Sequence, residues 1–133
     1  WRTPAWPDPA DPPFINGAAE LAADLEPAAL LALLHDVEAQ FGRVRGRRNA
    51  PRSIDLDLID YGGRCTSGAP GPVLPHPRAR DRAFVLLPLR EVAPQWRDPV
   101  SGATVSQLIA ALPRADRSAC RPAGGVLRAA APG

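Results

Sequence analysis

Asn49-Ala-Pro-Arg-Ser-Ile-Asp-Leu-Asp-Leu-Ile-Asp60, preceded by Arg43, Arg45, Arg47 and Arg48, decides how this chain is read. In an extended strand successive side chains alternate between faces, so Asp55 and Asp57 point one way and Ile54, Leu56 and Leu58 the other. Carboxylates so placed lie roughly 6 to 7 Å apart along the strand and repel each other unless one holds a proton. A divalent cation between them removes that conflict, and hard Mg²⁺ takes carboxylate oxygens together with substrate phosphates. The arginines complete the logic, because a guanidinium fork grips phosphate oxygens in pairs and keeps its charge. The same letters also describe a strand with one wet face beside a solvated arginine loop. The rest of the chain has to decide between the two.

The chain has 133 residues, 45% of them hydrophobic, enough for one domain with its own core and no disulfide. No apolar run approaches the ~20 residues of a membrane span and no charged, apolar, small-residue leader is visible, so a soluble cytoplasmic protein is expected. Cys65 and Cys120 lie far apart in loop-like surroundings without CxxC or paired-histidine spacing, which favours two free thiols over a zinc or redox motif. The net charge of +2 makes no case for nucleic-acid binding by charge alone. All 16 basic residues are arginine, and many crowd into Arg43 to Arg52 and Arg78 to Arg82, clusters that suit a compact polyanion better than a long one. The chain contains no methionine and opens on Trp1, so a processed chain or a fragment is expected.

Five prolines within residues 1–13 predict a rigid irregular loop after a brief extended start. Phe14 to Ala23 reads as a strand. Glu26-Pro27 opens a helix, because proline suits the first helical turn, and Leu30, Leu34, Val37 and Phe41 follow at helical spacing until Gly42 stops it. A strand over Ile54 to Tyr61 ends at Gly62-Gly63, and a loop fills 64–75. Ala83 to Val92 is a short helix or strand-like apolar run, Val105 to Leu112 a small helix, and the tail after Pro113 is expected to be disordered. Strands mixed with helices that can cover one sheet favour an α+β layered domain. A doubly wound sheet would need more βαβ units and a GxGxxG turn.

Trp1-Arg-Thr-Pro4, Phe14-Ile-Asn-Gly-Ala18, Val37-Glu-Ala-Gln-Phe-Gly-Arg43, the block Asn49 to Asp57, and Leu74-Pro-His-Pro77 with Arg82-Ala-Phe84 occur in an order that closely resembles the 6-hydroxymethyl-7,8-dihydropterin pyrophosphokinases of folate biosynthesis. The resemblance spans residues 1 to about 112, taken as one domain followed by a tail over 113–133. It implies a ferredoxin-like α+β sandwich that transfers pyrophosphate from ATP, the co-substrate, to the pterin's hydroxymethyl oxygen and releases AMP. By the same resemblance Asp55 and Asp57 hold two Mg²⁺ ions, Arg52 grips the ATP phosphates, and Arg43 belongs to a mobile catalytic loop. Glu38, His76 and Arg82 match positions on the nucleotide side, and Leu58 the position whose backbone meets adenine. Asn16 matches the amide that reads the pterin edge, Phe84 the ring that stacks on it, and Phe14 an aromatic on its other side. Thr3, Pro4 and Trp6 match the loop that walls the pterin. Partners are then the pterin alcohol and ATP, met by a monomer, with neither nucleic acid nor membrane.

Members of that family start with a strand ending in Gly-Ser-Asn, a helix and most of a second strand, which this sequence lacks, so an N-terminally truncated domain is expected. Two rival readings follow. One is a truncated, non-catalytic homologue that still binds pterin or nucleotide. The other is a ferredoxin-like RNA-binding module, against which stand the seven scattered aromatics and the missing RNP-type cluster.

Overall fold

Glu26-Pro27 starts a helix where the sequence expects one. In the computed structural model, which describes residues 1–6, 8–42 and 54–124, α1 spans Pro27–Gln40, with Pro27 at its first position and Glu26 in the extended cap conformation. Proline's fixed φ suits that place and its missing N–H is not needed there. Just beyond the end, Gly42 adopts φ +82°, a left-handed conformation that glycine takes without strain. The buried face differs from the apolar period. Leu30 is buried and Leu34 and Val37 are half-buried, but Phe41 is 58% exposed, while Glu38 is 1% exposed.

The chain divides into two compact units built from interleaved segments, a division that a sequence without an obvious linker does not announce. One unit holds Glu20–Ala79 and Arg97–Ala103, hence α1. Residues 64–75, expected as a loop, instead form an antiparallel hairpin of β3 (Thr66–Ser67) and β4 (Val73–Leu74) in register Thr66 with Leu74 and Ser67 with Val73. Two-residue strands are too short to show a period. The Thr66 hydroxyl donates to the Pro72 carbonyl at 2.6 Å and accepts the Leu74 N–H at 2.9 Å, closing the hairpin with a side chain. Ile54 to Tyr61, expected as a strand, pairs with no strand among the described residues. The Leu56 N–H donates to Glu38 Oε2 at 3.2 Å and the Ile59 carbonyl accepts the His76 N–H at 2.8 Å, so these two backbone groups find partners outside a ladder. Alternation in sequence fixes which face a side chain takes, whereas a ladder also requires an adjacent strand. Tyr61 Oη bonds the Ala23 and Leu25 carbonyls. Arg64 meets Glu26 at 2.8 Å, and that hydrogen-bonded carboxylate raises the Arg64 pKa.

The other unit comprises Trp1–Ala19, Arg80–Trp96 and the described residues from Thr104 onward. Here β1 (Arg2–Thr3) pairs antiparallel with β2 (Phe14–Ile15), Thr3 opposite Phe14. The strand expected over Phe14 to Ala23 therefore stops after two residues: β1 is no longer, and the alanines that follow have little strand preference. The apolar run 83–92 is a helix, α2 (Ala83–Val92), and α3 (Val105–Ala111) forms at the expected place, opened by a capping box between Thr104 and Gln107. Ala83, Leu86 and Leu87 of α2 meet Val105, Ile109 and Leu112 in the core cluster, where Leu86 and Val105 are fully buried. Each such side chain contributes about 1.5–3 kcal/mol of burial free energy. After Pro113, where disorder is expected, α4 (Arg114–Ala119) forms and Arg121 bridges to Arg2. Its C-cap, Cys120, packs into the core rather than lying in an open loop, and burial followed by the nearby Asp116 charge pushes that thiol's pKa up. The fold is thus a small mixed α+β arrangement. Among the described residues no helix is long and apolar enough to cross a membrane.

Candidate functional site

Asp55 and Asp57 are exposed and alternate with half-buried Ile54, Leu56 and Leu58, so the period of two survives without a ladder. Asp55 and Asp57, with Leu56 between them, line a cavity of about 350 Å³ in the unit that contains α1. Helix α1 supplies its second wall. Glu38 faces the same cavity and anchors it, since its buried carboxylate accepts the Leu56 N–H from the peptide between the two aspartates. A charged acceptor makes this bond stronger than a neutral one, and losing it would strand a backbone donor. The third wall comes from Pro72 and Val73 of the hairpin arm with His76 and Pro77 beyond it. His76 is held twice: its N–H donates to Ile59, and its Nδ1 accepts the Arg78 N–H at 3.2 Å. An accepting Nδ1 leaves Nε2 as the ring's free position. Leu58 lines the cavity as well.

The structure therefore brings Asp55, Asp57, Glu38, His76 and Leu58 together around one cavity. Arg43 and Arg52, with Arg45, Arg47 and Arg48, lie outside the described residues. Among the described residues no group of three His, Cys, Asp or Glu side chains is placed to hold a metal unaided. A pair of exposed carboxylates is the donor type Mg²⁺ takes, since that ion keeps several waters and completes its octahedron with substrate phosphates.

The other matched residues belong to the unit that carries β1 and β2. Asn16 is half-buried and triply fixed: its N–H donates to the Trp1 carbonyl at 2.7 Å, its carbonyl accepts the Trp1 ammonium at 2.8 Å, and its Nδ2 donates to Thr3 Oγ1 at 3.0 Å. The Thr3 bond leaves Oδ1 and one amide hydrogen for a ligand edge. Phe84 is half-buried on α2 against the core, with the Arg82 guanidinium 5.5 Å from its ring centroid, a cation–π contact. Arg82 caps α2 and does not line the cavity. Pro4 is exposed, Trp6 is 72% exposed and Phe14 48%.

Sequence reasoning missed His35 and Leu31, which line the cavity one and two turns before Glu38. The signal was available: Leu31, His35 and Glu38 sit at i, i+4 and i+7, a second stripe beside the apolar one.

Comparison with protein-family models matches residues 1–94 to the one described as 7,8-dihydro-6-hydroxymethylpterin-pyrophosphokinase. A 2-amino-4-hydroxy-6-hydroxymethyldihydropteridine pyrophosphokinase from Synechocystis is 48% identical over 101 residues, covering 76% of this chain and 51% of the relative. One of the same name from Methylorubrum extorquens is 43% identical over 112 residues, covering 84% of this chain and 69% of the relative. A folic acid synthesis protein of Dictyostelium discoideum is 38% identical over 100 residues, 75% of this chain and 15% of that much longer one. The chain thus spans about half the length of the Synechocystis relative.

Proposed function

Because this chain belongs to the 7,8-dihydro-6-hydroxymethylpterin-pyrophosphokinase family, we propose that it takes part in transferring the β,γ-pyrophosphoryl group of ATP to the hydroxymethyl oxygen of 6-hydroxymethyl-7,8-dihydropterin. A bond forms from that oxygen to the β-phosphorus, the bond from the β-phosphorus to the α,β-bridging oxygen breaks, the alcohol proton is released, and AMP leaves. The observation that carries this reading is the convergence of Asp55, Asp57, Glu38 and His76 on one cavity. Such transfers ask the protein for alignment and charge neutralisation more than for covalent chemistry.

Asp55 and Asp57 hold the metal-bound triphosphate, and Glu38 keeps the peptide between them in place. Two Mg²⁺ ions, when bound there, supply positive charge that offsets the charge on the phosphate oxygens. His76 offers Nε2 to the nucleotide, and Leu58 meets the adenine through its backbone. Arg43 and Arg52 add fixed cations that a guanidinium fork delivers to phosphate. In the other unit, Asn16, oriented by Thr3, reads the pterin's donor and acceptor edge. Phe84 stacks on the ring, Phe14 flanks it, Thr3, Pro4 and Trp6 wall it, and Arg82 adds a cation for the nucleotide. The same reading gives a ferredoxin-like sandwich, and makes the protein a cytoplasmic monomer acting on small molecules without nucleic acid or membrane.

AMP formation from Mg·ATP and the pterin alcohol tests the proposal, run with this chain and with a version extended to the length of the relatives. AMP that requires the pterin alcohol is expected. AMP in neither protein would contradict the proposal, and AMP in the extended protein alone would leave this segment the binding role.

A further inference from the structure

Tyr61 has no task in the pyrophosphokinase reading, yet it holds the far end of the acidic segment. Its hydroxyl bonds the Ala23 carbonyl at 3.3 Å and the Leu25 carbonyl, just ahead of α1. The turn that follows adds to this tie. Arg64 places its guanidinium 5.1 Å from the Tyr61 ring centroid and meets Glu26, the residue that precedes α1, at 2.8 Å. Near the other end of the helix, Glu38 holds the Leu56 N–H. The acidic segment is therefore tied to α1 twice, running in the opposite direction to the helix.

The lengths match. From Pro27 to Glu38 the helix rises about 16–17 Å at about 1.5 Å per residue. From Leu56 to Tyr61 an extended chain covers about 16–17 Å at about 3.3 Å per residue, so only a stretched segment reaches both ties. We infer that Tyr61 is a positioning residue for the metal-binding carboxylates: with Glu38 it stretches the segment along α1 as along a strut. Asp57, inside the span, and Asp55, next to it, thereby keep the alternation that leaves them exposed while Ile54, Leu56 and Leu58 are half-buried. Loosening one tie lets the segment leave that conformation, and a ligand then binds only the productive fraction, which weakens its apparent affinity. The inference rests on the proposed Mg²⁺–ATP site for the identity of the ligand.

Calorimetric titration of this chain with a non-hydrolysable ATP analogue over a series of Mg²⁺ concentrations tests it on Tyr61→Phe, which keeps the ring and removes the hydroxyl. The variant is expected to need about three to five times more Mg²⁺ for half-maximal binding, the scale of one hydrogen bond, while its melting temperature and its affinity for the analogue in chelator stay close to those of the wild type. Backbone hydrogen exchange gives a second readout without any ligand. The Leu56 amide should exchange faster in Tyr61→Phe, because its bond to Glu38 depends on the same stretch. An unchanged Mg²⁺ dependence, or an unchanged Leu56 exchange rate, overturns the inference while leaving the ATP site intact. Equal weakening with and without Mg²⁺ makes Tyr61 a general structural residue and overturns it too. A wild-type chain whose binding of the analogue ignores Mg²⁺ removes the metal site and the inference together.

Discussion

The two units are built on opposite principles. The core cluster of α2 and α3, from Ala83 to Cys120, lies wholly in the unit that carries Asn16 and Phe84. Among the described residues, the buried charged side chains, Glu38 and Asp98, both belong to the unit that carries the cavity. There, polar side chains do much of the ordering: Glu38 holds Leu56, Thr66 closes the hairpin, and Asp98 accepts from the Val100 N–H and the Ser101 hydroxyl. The cavity proposed for a polyanion and a cation thus lies where backbone is fixed by directional bonds, and stability is concentrated where apolar area is buried.

Substitutions can break that contrast. The largest effect is expected from Asp57→Ala, which should lower turnover at least 1,000-fold, about 4 kcal/mol at 1.36 kcal/mol per decade, while leaving the melting temperature and the affinity for the pterin alcohol nearly unchanged. Parallel calorimetry and AMP assays check this, and equal loss of pterin binding would erase the division of labour. Leu86→Ala should act the other way. Deleting a fully buried side chain in the α2–α3 core costs about 2–5 kcal/mol, readable in urea unfolding, with Mg²⁺-dependent nucleotide binding retained in the molecules still folded. Thr104→Ala removes the accepting half of the capping box on α3 and is expected to cost about 1 kcal/mol with no change in either affinity.

The smallest effect belongs to the two thiols. Exposed Cys65 should react with a thiol reagent at neutral pH well before buried Cys120. Since the folded pKa of Cys120 is raised by burial and by Asp116, its contribution to stability is full below the unfolded thiol pKa and is lost as pH rises through the folded one. Comparing urea midpoints of the wild type and Cys120→Ala from pH 8 upward should therefore show the gap between them shift against the wild type as the solution becomes alkaline.

Much of this was legible in the sequence, for reasons that differ by element. Helix α1 carries its own signals, a proline at the start and a glycine past the end, and it forms where they say. Asp55 and Asp57 are exposed while Ile54, Leu56 and Leu58 are half-buried, because alternation is a property of extended backbone itself. The ladder expected through Ile54 to Tyr61 was not legible, because pairing depends on a neighbour that no local pattern specifies. Hairpin β3–β4 escaped notice because its strands are two residues long and its closure comes from a threonine hydroxyl. Glu38 shows the limit most clearly. An acid on a helix reads as a solvated charge, yet its carboxylate is buried to cap the Leu56 amide, a role visible only once the two segments are brought together.

Calorimetric binding of a non-hydrolysable ATP analogue with and without Mg²⁺, to the wild type and to the doubly substituted Asp55→Asn, Asp57→Asn chain, tests the central claim most directly. The account predicts that wild-type binding depends on Mg²⁺ and that the double variant loses that dependence along with most of its affinity. Equal affinity of the two proteins in Mg²⁺, or wild-type binding that survives chelation unchanged, would contradict it.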